Sequence, residues 1–240
     1  MSEESKVSGI DQAQYTANVN RRDFLRRAVI GGVVGAGLWS KLGAAEPGQH
    51  DKDINTRLFT FIGGQVGPWS IVTVKTITGE ALPVAERLDV VNGPVSASPD
   101  GAKWILRGVT SNARYTTRQE KDQLTAIQPA VGRPTATCSA LIPIRKNAQW
   151  WGLSQDQRRE IFEERSHHIK TGLGYLPAVA RRLHHCRDLG ENEPFDFLTW
   201  FEYARADAVA FDELVARLRA TEEWTYVDRE IDMRLVRDGG

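Results

Sequence analysis

The sequence predicts an α+β fold built on a ferredoxin-like βαββαβ run, an antiparallel sheet with helices on one face. Three observations point to it. From residue 135 onward, strand and helix periodicities follow one another as β-α-β-β-α-β. Within that run, 135–145 (TATCSALIPIR) sets Ala136, Cys138, Ala140, Ile142 and Ile144 on one face of a strand. In 207–220, by contrast, Phe211, Leu214, Val215 and Leu218 recur at i, i+3, i+4 and i+7, the stripe of an amphipathic helix.

Taken in order, 57–64 (RLFTFIGG) and 69–77 (WSIVTVKTI) are rich in β-branched and aromatic residues and read as strands. Residues 79–101 form a connection punctuated by Pro and Gly, with room for a short helix, and 103–111 (KWILRGVTS) is a further strand. Residues 117–129 make a short helix or turn ended by Pro129. After the 135–145 strand, 153–176 reads as one helix that opens with Ser154 and Gln157 in capping-box spacing. Residues 177–186 begin at a proline and form a strand, and 195–203 (FDFLTWFEY) is a strongly apolar one. The last strand, 224–236, turns Val227, Ile231, Met233 and Leu235 to one side. The strands ahead of 135 either extend this sheet or form a degenerate second copy. The expected division is a truncated N-terminal ferredoxin-like part, 57–134, and a C-terminal one, 135–240.

Composition sets outer bounds. A chain of 240 residues, 41% hydrophobic and 26% charged, has room for one large domain or two small ones. Its 31 basic and 31 acidic residues cancel, so no net field draws it to nucleic acid. The N-terminal stretch is more specific. Arg21 and Arg22 precede Phe24 and Leu25, an apolar run follows from Ala28 to Leu38, and Gly43, Ala44 and Ala45 close it. A charged start, a moderate apolar stretch and small residues at its end describe an export signal, and the paired arginines make it the twin-arginine type. The run is too short to span the ~30 Å hydrocarbon core as an anchor. The expectation is a signal over 1–45 cleaved after Ala45, passage through the twin-arginine translocase, a periplasmic product, and a flexible lead-in over 46–56. In an exported protein Cys138 and Cys186 can pair. The strand pattern around Cys138 equally suits a buried thiol.

Four of the five histidines fall in 165–186 as the pairs His167–His168 and His184–His185. Neither His at i and i+4 nor two cysteines beside two histidines is present, so zinc spacing is not met. On a continuous 153–176 helix, Ile161, Phe162, Ile169, Leu173 and Leu176 form the apolar stripe. His168 then lies at its edge and His167 points away. Taken alone, such a histidine suits a core-edge residue bonded to a carbonyl as well as one that faces a cofactor.

The segments AIQP (126–129), ALIPIRK (140–146), QWW (149–151), SHHIKTGLGYLPAVARRLHHCRDLG (166–190), PFDFLTWFEY (194–203) and LRATEEWTYVDREIDMRL (218–235) change that balance. Over about 57–238 the sequence resembles the chlorite dismutase family of haem proteins, in its short-chain branch. The resemblance implies the dimeric α/β-barrel version of the fold and a haem b cofactor. It implies His168 as the iron ligand and Glu223 as the acid that accepts its hydrogen bond. Arg181 matches the catalytic distal arginine, and Gln128 the glutamine that holds it. Lys146, Trp150 and Trp151 match the segment lining the haem pocket, although taken alone the two tryptophans suit packing as well. His184 and His185 match no family role and are left as ordinary polar positions. GENEPFDF (190–197) is two residues longer than in close relatives and falls in the loop after the distal strand.

The residue types suit that chemistry. A carboxylate on one imidazole nitrogen fixes the tautomer and makes the other a stronger donor to iron. A guanidinium opposite attracts a small oxyanion into an apolar pocket and retains a charged leaving fragment. The implied reaction converts chlorite to chloride and dioxygen through a ferryl and hypochlorite pair. The alternatives are a coproporphyrin decarboxylase of haem synthesis and a haem-binding stress or sensor protein with weak peroxidase activity. The decarboxylases typically lack the distal arginine, so Arg181 favours chlorite chemistry. A homodimer is expected, as in short-chain relatives.

Overall fold

Every strand-like run becomes a strand, and the strands join in a ring. The computed structural model describes residues 56–239 except 96, 97, 112 and 191. The expected signal (1–45) and nearly all of the lead-in lie outside the described residues. The strands are β1 (Leu58–Gly64), β2 (Trp69–Thr78), β3 (Arg87–Asn92), β4 (Trp104–Val109), β5 (Cys138–Lys146), β6 (Ala180–His185), β7 (Phe197–Tyr203) and β8 (Val227–Arg237). The helices are α1 (Arg118–Ile127), α2 (Ala148–Gly152), α3 (Gln155–Arg159), α4 (His168–Leu173) and α5 (Ala208–Arg219).

All strand pairs are antiparallel and close a barrel in the order β1-β3-β2-β8-β5-β7-β6-β4. The closed ring accords with the barrel that the resemblance implies and goes beyond the ferredoxin-like sheet read from the periodicities. The C-terminal strands do lie as β8-β5-β7-β6, but β2 pairs with β8 and β4 with β6, so neither edge is left free. Counted in its own chain order, each half runs fourth-first-third-second around the ring. Among the described residues no helix lies between the N-terminal strands.

One correction is β3, which falls where only a connection with a short helix was expected. RLDVVN is a brief run in which only Leu88 is fully buried, and it pairs with β1 from Asn92 to Arg87.

The barrel wall is apolar on both faces where helices cover it. Leu141, Leu198, Trp200, Ile231, Met233 and Leu235 point inward to meet Phe61, Leu88 and Leu106. Cys138, Ala140, Ile142 and Ile144 point outward, onto the Phe211, Leu214, Val215 and Leu218 stripe of α5. The two expected periodicities thus meet at one interface, and Cys138 and Cys186 are buried free thiols.

The predicted 153–176 helix is not continuous. Ser154 and Gln157 form the expected capping box, but only for α3. A π-helical turn (Glu160–Arg165) follows, and His167 adopts the left-handed conformation at φ 51. The Glu163 carboxylate accepts from the backbone N–H groups of Ile169 (2.5 Å) and Lys170 (3.1 Å), which starts α4 anew. The orientation of His168 therefore comes from this break and not from a uniform 100° phase.

Candidate active site

Between the outer face of β5, β7 and β6 and the helices lies a cavity of about 670 Å³. Ile142, Ile144, Phe201, Ile169, Val215 and Leu218 supply apolar wall, and α1 adds Lys121, Leu124 and Thr125. Of the expected site residues, Gln128, Lys146, Trp150, His168, Arg181 and Glu223 all line it.

Three of them form one unit. His168, the first residue of α4, has its Nδ1 2.7 Å from Oε2 of Glu223. Glu223 sits in the 3-10 turn Glu222–Tyr226, where its own N–H donates to Ser166 Oγ at 3.0 Å. Lys146, at the end of β5, donates from Nζ to Glu223 Oε1 at 2.9 Å and to the Glu223 carbonyl at 3.0 Å. Lys146 and Glu223 are 5% and 4% exposed, so each charge depends on the other. Burial alone would push the Glu223 carboxyl upward. The charges and hydrogen bonds of His168 and Lys146 outweigh it and hold the group at about 2. Glu223 is thus an acceptor, so His168 carries a proton on Nδ1 and Nε2 is its other ring nitrogen. Phe162 stacks on the imidazole with ring centroids 4.3 Å apart and 22° between planes.

Arg181 reaches into the cavity from β6. Its guanidinium lies against Gly172, one turn beyond His168 on α4. A Cβ on Gly172 would stand 2.0 Å from Nη1. Burial lowers the Arg181 pKa and the Glu163 carboxylate partly restores it. The side chain remains cationic at any working pH. Gln128 bonds the backbone of the arginine. Its Nε2 donates to the Arg181 main-chain carbonyl at 3.0 Å, so it anchors the strand that carries the arginine.

The two adjacent tryptophans separate. Trp150 is buried in the cavity wall beneath Lys146 Nζ, which lies 4.7 Å from its ring centre. Trp151 lies off the cavity, donating to Asp196 at 3.1 Å beneath the Arg187 guanidinium. His184 and His185, expected as ordinary polar positions, are both buried. His184 packs edge-on to Phe59 and Phe61 and bonds the Leu198 carbonyl through Nδ1. Burial pulls each imidazole down to about 4, so both are neutral near pH 7.

Sequence reasoning did not single out Gly172, Glu163 or Trp224. The spacing of Gly172 four residues after His168 was the available signal, because it places the two on one helical face.

The comparisons with known proteins bear on the family of the chain. The family model described as chlorite dismutase matches residues 99–237. A chlorite dismutase of Ideonella dechloratans is 37% identical over 86 residues, which is 36% of this chain and 27% of that protein. That match therefore spans about a quarter of the relative's length. Among solved structures, a chlorite dismutase of Nitrobacter winogradskyi described as dimeric is 55% identical. The match covers 75% of this chain and 99% of that one, with a TM-score of 0.69. A chlorite dismutase of Candidatus Nitrospira defluvii in complex with imidazole is 18% identical, covers 78% and 94%, and has a TM-score of 0.55, a likeness of fold alone. By the family-model match and by its identity to the Nitrobacter protein, the chain belongs to the chlorite dismutase family.

Proposed function

We propose that this protein is a haem-dependent chlorite dismutase that converts chlorite to chloride and dioxygen. The observation that carries the reading is the His168–Glu223–Lys146 unit set in the same apolar cavity as the buried cation of Arg181. Haem fits the donors present. Among the described residues no cluster of three or more His, Cys, Asp or Glu could hold a bare metal ion. A tetrapyrrole brings four nitrogens of its own and needs a further donor from the protein, which His168 Nε2 would supply. Once bound, haem supplies the iron centre at which chlorite gives up oxygen.

The chain's own groups divide the remaining work. Glu223 fixes the His168 tautomer and strengthens it as a donor, and Lys146 keeps that carboxylate ionised in a buried site. Arg181 attracts a small oxyanion. The apolar wall excludes water and so strengthens that attraction. Arg181 also favours this reading over haem synthesis.

Two further parts of the reading rest on other observations. The 55% identical Nitrobacter protein, described as dimeric, supports a homodimer. The Arg21–Arg22 pair ahead of an apolar run supports export through the twin-arginine translocase to the periplasm. The decisive experiment is an oxygen-electrode trace of purified, haem-loaded protein on addition of chlorite. Prompt dioxygen evolution is expected. A stable haem complex that yields none would overturn the assignment.

A further inference from the structure

We propose that Trp224 is a one-electron donor to the haem assigned to this cavity, with Glu230 receiving its indole proton; this rests on the haem reading above. Among the described residues one tyrosine and two tryptophans line the cavity: Tyr115, Trp150 and Trp224. They differ in what the polar hydrogen of each meets. Trp224 Nε1 donates to Oε2 of Glu230 at 2.8 Å. Glu230 is 0% exposed, and its other oxygen is held by Arg219 through Nε (2.8 Å) and Nη2 (2.5 Å). The carboxylate is therefore fixed in place with one oxygen turned to the indole. The Trp224 ring lies within 19° of parallel to the His168 imidazole, with centroids 6.4 Å apart.

Removing an electron from an indole makes its N–H strongly acidic. Oxidation is therefore easiest where the proton can leave along an existing hydrogen bond. Trp150 lacks that route, because its buried Nε1 has no hydrogen-bond partner among the described residues. Lys146 Nζ also lies 4.7 Å from its ring centre, where a cation opposes the positive charge of an oxidised ring. The same Nζ is 5.4 Å from Trp224, farther away and offset on that ring by a carboxylate at the N–H. The Tyr115 hydroxyl accepts from Arg158 at 3.4 Å, again beside a cation. Trp151 and Trp200 do donate to carboxylates, Asp196 and Glu202, but neither ring lines the cavity. Among the described residues Trp224 alone combines the cavity wall with a proton acceptor.

A peroxide or peracid first takes two electrons from the bound haem. One electron then passes from Trp224 to that haem. The Nε1–H bond breaks and its proton moves to Oε2 of Glu230. The products are a haem one electron less oxidised, a neutral indolyl radical and a neutral carboxylic acid. Such a donor drains oxidising equivalents left after an incomplete turnover.

The test is freeze-quench electron paramagnetic resonance of haem-loaded protein mixed with stoichiometric peracetic acid, with natural and ring-deuterated tryptophan. Wild type is expected to give a radical signal that narrows on deuteration. Trp224→Phe should lose it and hold the oxidised haem spectrum longer, whereas Trp151→Phe should keep it. Glu230→Gln should suppress the neutral radical, and if that variant does not fold, Trp224→Phe decides. The same signal in Trp224→Phe, or none in wild type while the oxidised haem spectrum forms, would overturn the proposal. Failure to form any haem complex would instead overturn the reading beneath it.

Discussion

His168 Nδ1 and Glu223 Oε2 lie 2.7 Å apart across 55 residues of sequence, and Lys146 takes the other oxygen of the same carboxylate at 2.9 Å. The bond commits the Nδ1 proton of His168, so only Nε2 is left to act on anything in the cavity.

Ligation follows from that commitment. His168→Ala should abolish the Soret band of reconstituted protein, and His167→Ala should retain it. Because His167 holds a left-handed backbone at φ 51, His167→Gly should be more stable than His167→Ala by about 1 kcal/mol. Haem titration and denaturant melts check the two claims. Loss of haem in the His167 variants with retention in His168→Ala would reverse the assignment.

Arg181→Ala should still bind haem, since no part of the His168 unit depends on it. Loss of one oriented charge commonly lowers a rate by about 10²–10³. The variant should therefore evolve less oxygen per haem and release more hypochlorite to a chlorination trap. Arg181→Lys should fall between. Gln128→Ala should be milder, because its bond goes to the Arg181 carbonyl. Equal initial rates and total turnovers in Arg181→Ala and wild type would refute the role.

Gly172→Ala places a methyl where Nη1 of Arg181 now lies. The flexible guanidinium must move, while the helix itself gains about 1 kcal/mol of propensity. The melting temperature should hold or rise and azide affinity of the haem-loaded protein should change. Unchanged affinity would mean the Gly172 contact is idle.

Acid should weaken the fold in two stages. His184 and His185 are drawn down to about 4, so the unfolded chain binds their protons first. Their contribution is complete above about 6.5 and is lost as pH falls toward 4. Glu223 and Glu120 are held near 2, the latter chiefly by Arg159. Their contributions persist above about 4.5 and fade toward 2. Thermal melts across pH should show the first decline reduced in His184→Phe and the second reduced in Glu120→Gln.

Export is tested at the terminus. Arg21→Lys with Arg22→Lys should strand the precursor in the cytoplasm, and mass spectrometry of periplasmic protein should find a start near Glu46. Full-length chain in the soluble periplasm would sink the claim.

The C-terminal half is readable because each of its patterns answers to one buried face. The alternation of β5 and the stripe of α5 meet at the interface both imply. Closure is not readable from the periodicities and comes only from the family resemblance, since it depends on edges far apart in sequence, with Trp69 beside Arg237. The break at His167 hides because Ile161 and Ile169 keep helical spacing across it; what ends the helix is a carboxylate turned back from Glu163. His168, Glu223, Lys146 and Arg181 emerge from family resemblance. Gly172 and Trp224 stay hidden because their importance lies in what other side chains reach them.

β8 joins the two halves, pairing with β2 on one side and β5 on the other, and Glu223 stands four residues ahead of it. Among the described residues it is also the last strand in chain order, and so the last of the ring to be synthesised. Until it emerges, the ring stays open between β2 and β5, and His168 and Lys146 have no shared carboxylate. A nascent chain paused anywhere before that point lacks the closed ring and the His168–Glu223–Lys146 unit, so capture of the proposed cofactor follows synthesis of β8. If the protein follows the proposed export route and crosses a membrane already folded, this order of events confines cofactor loading to the compartment where translation ends.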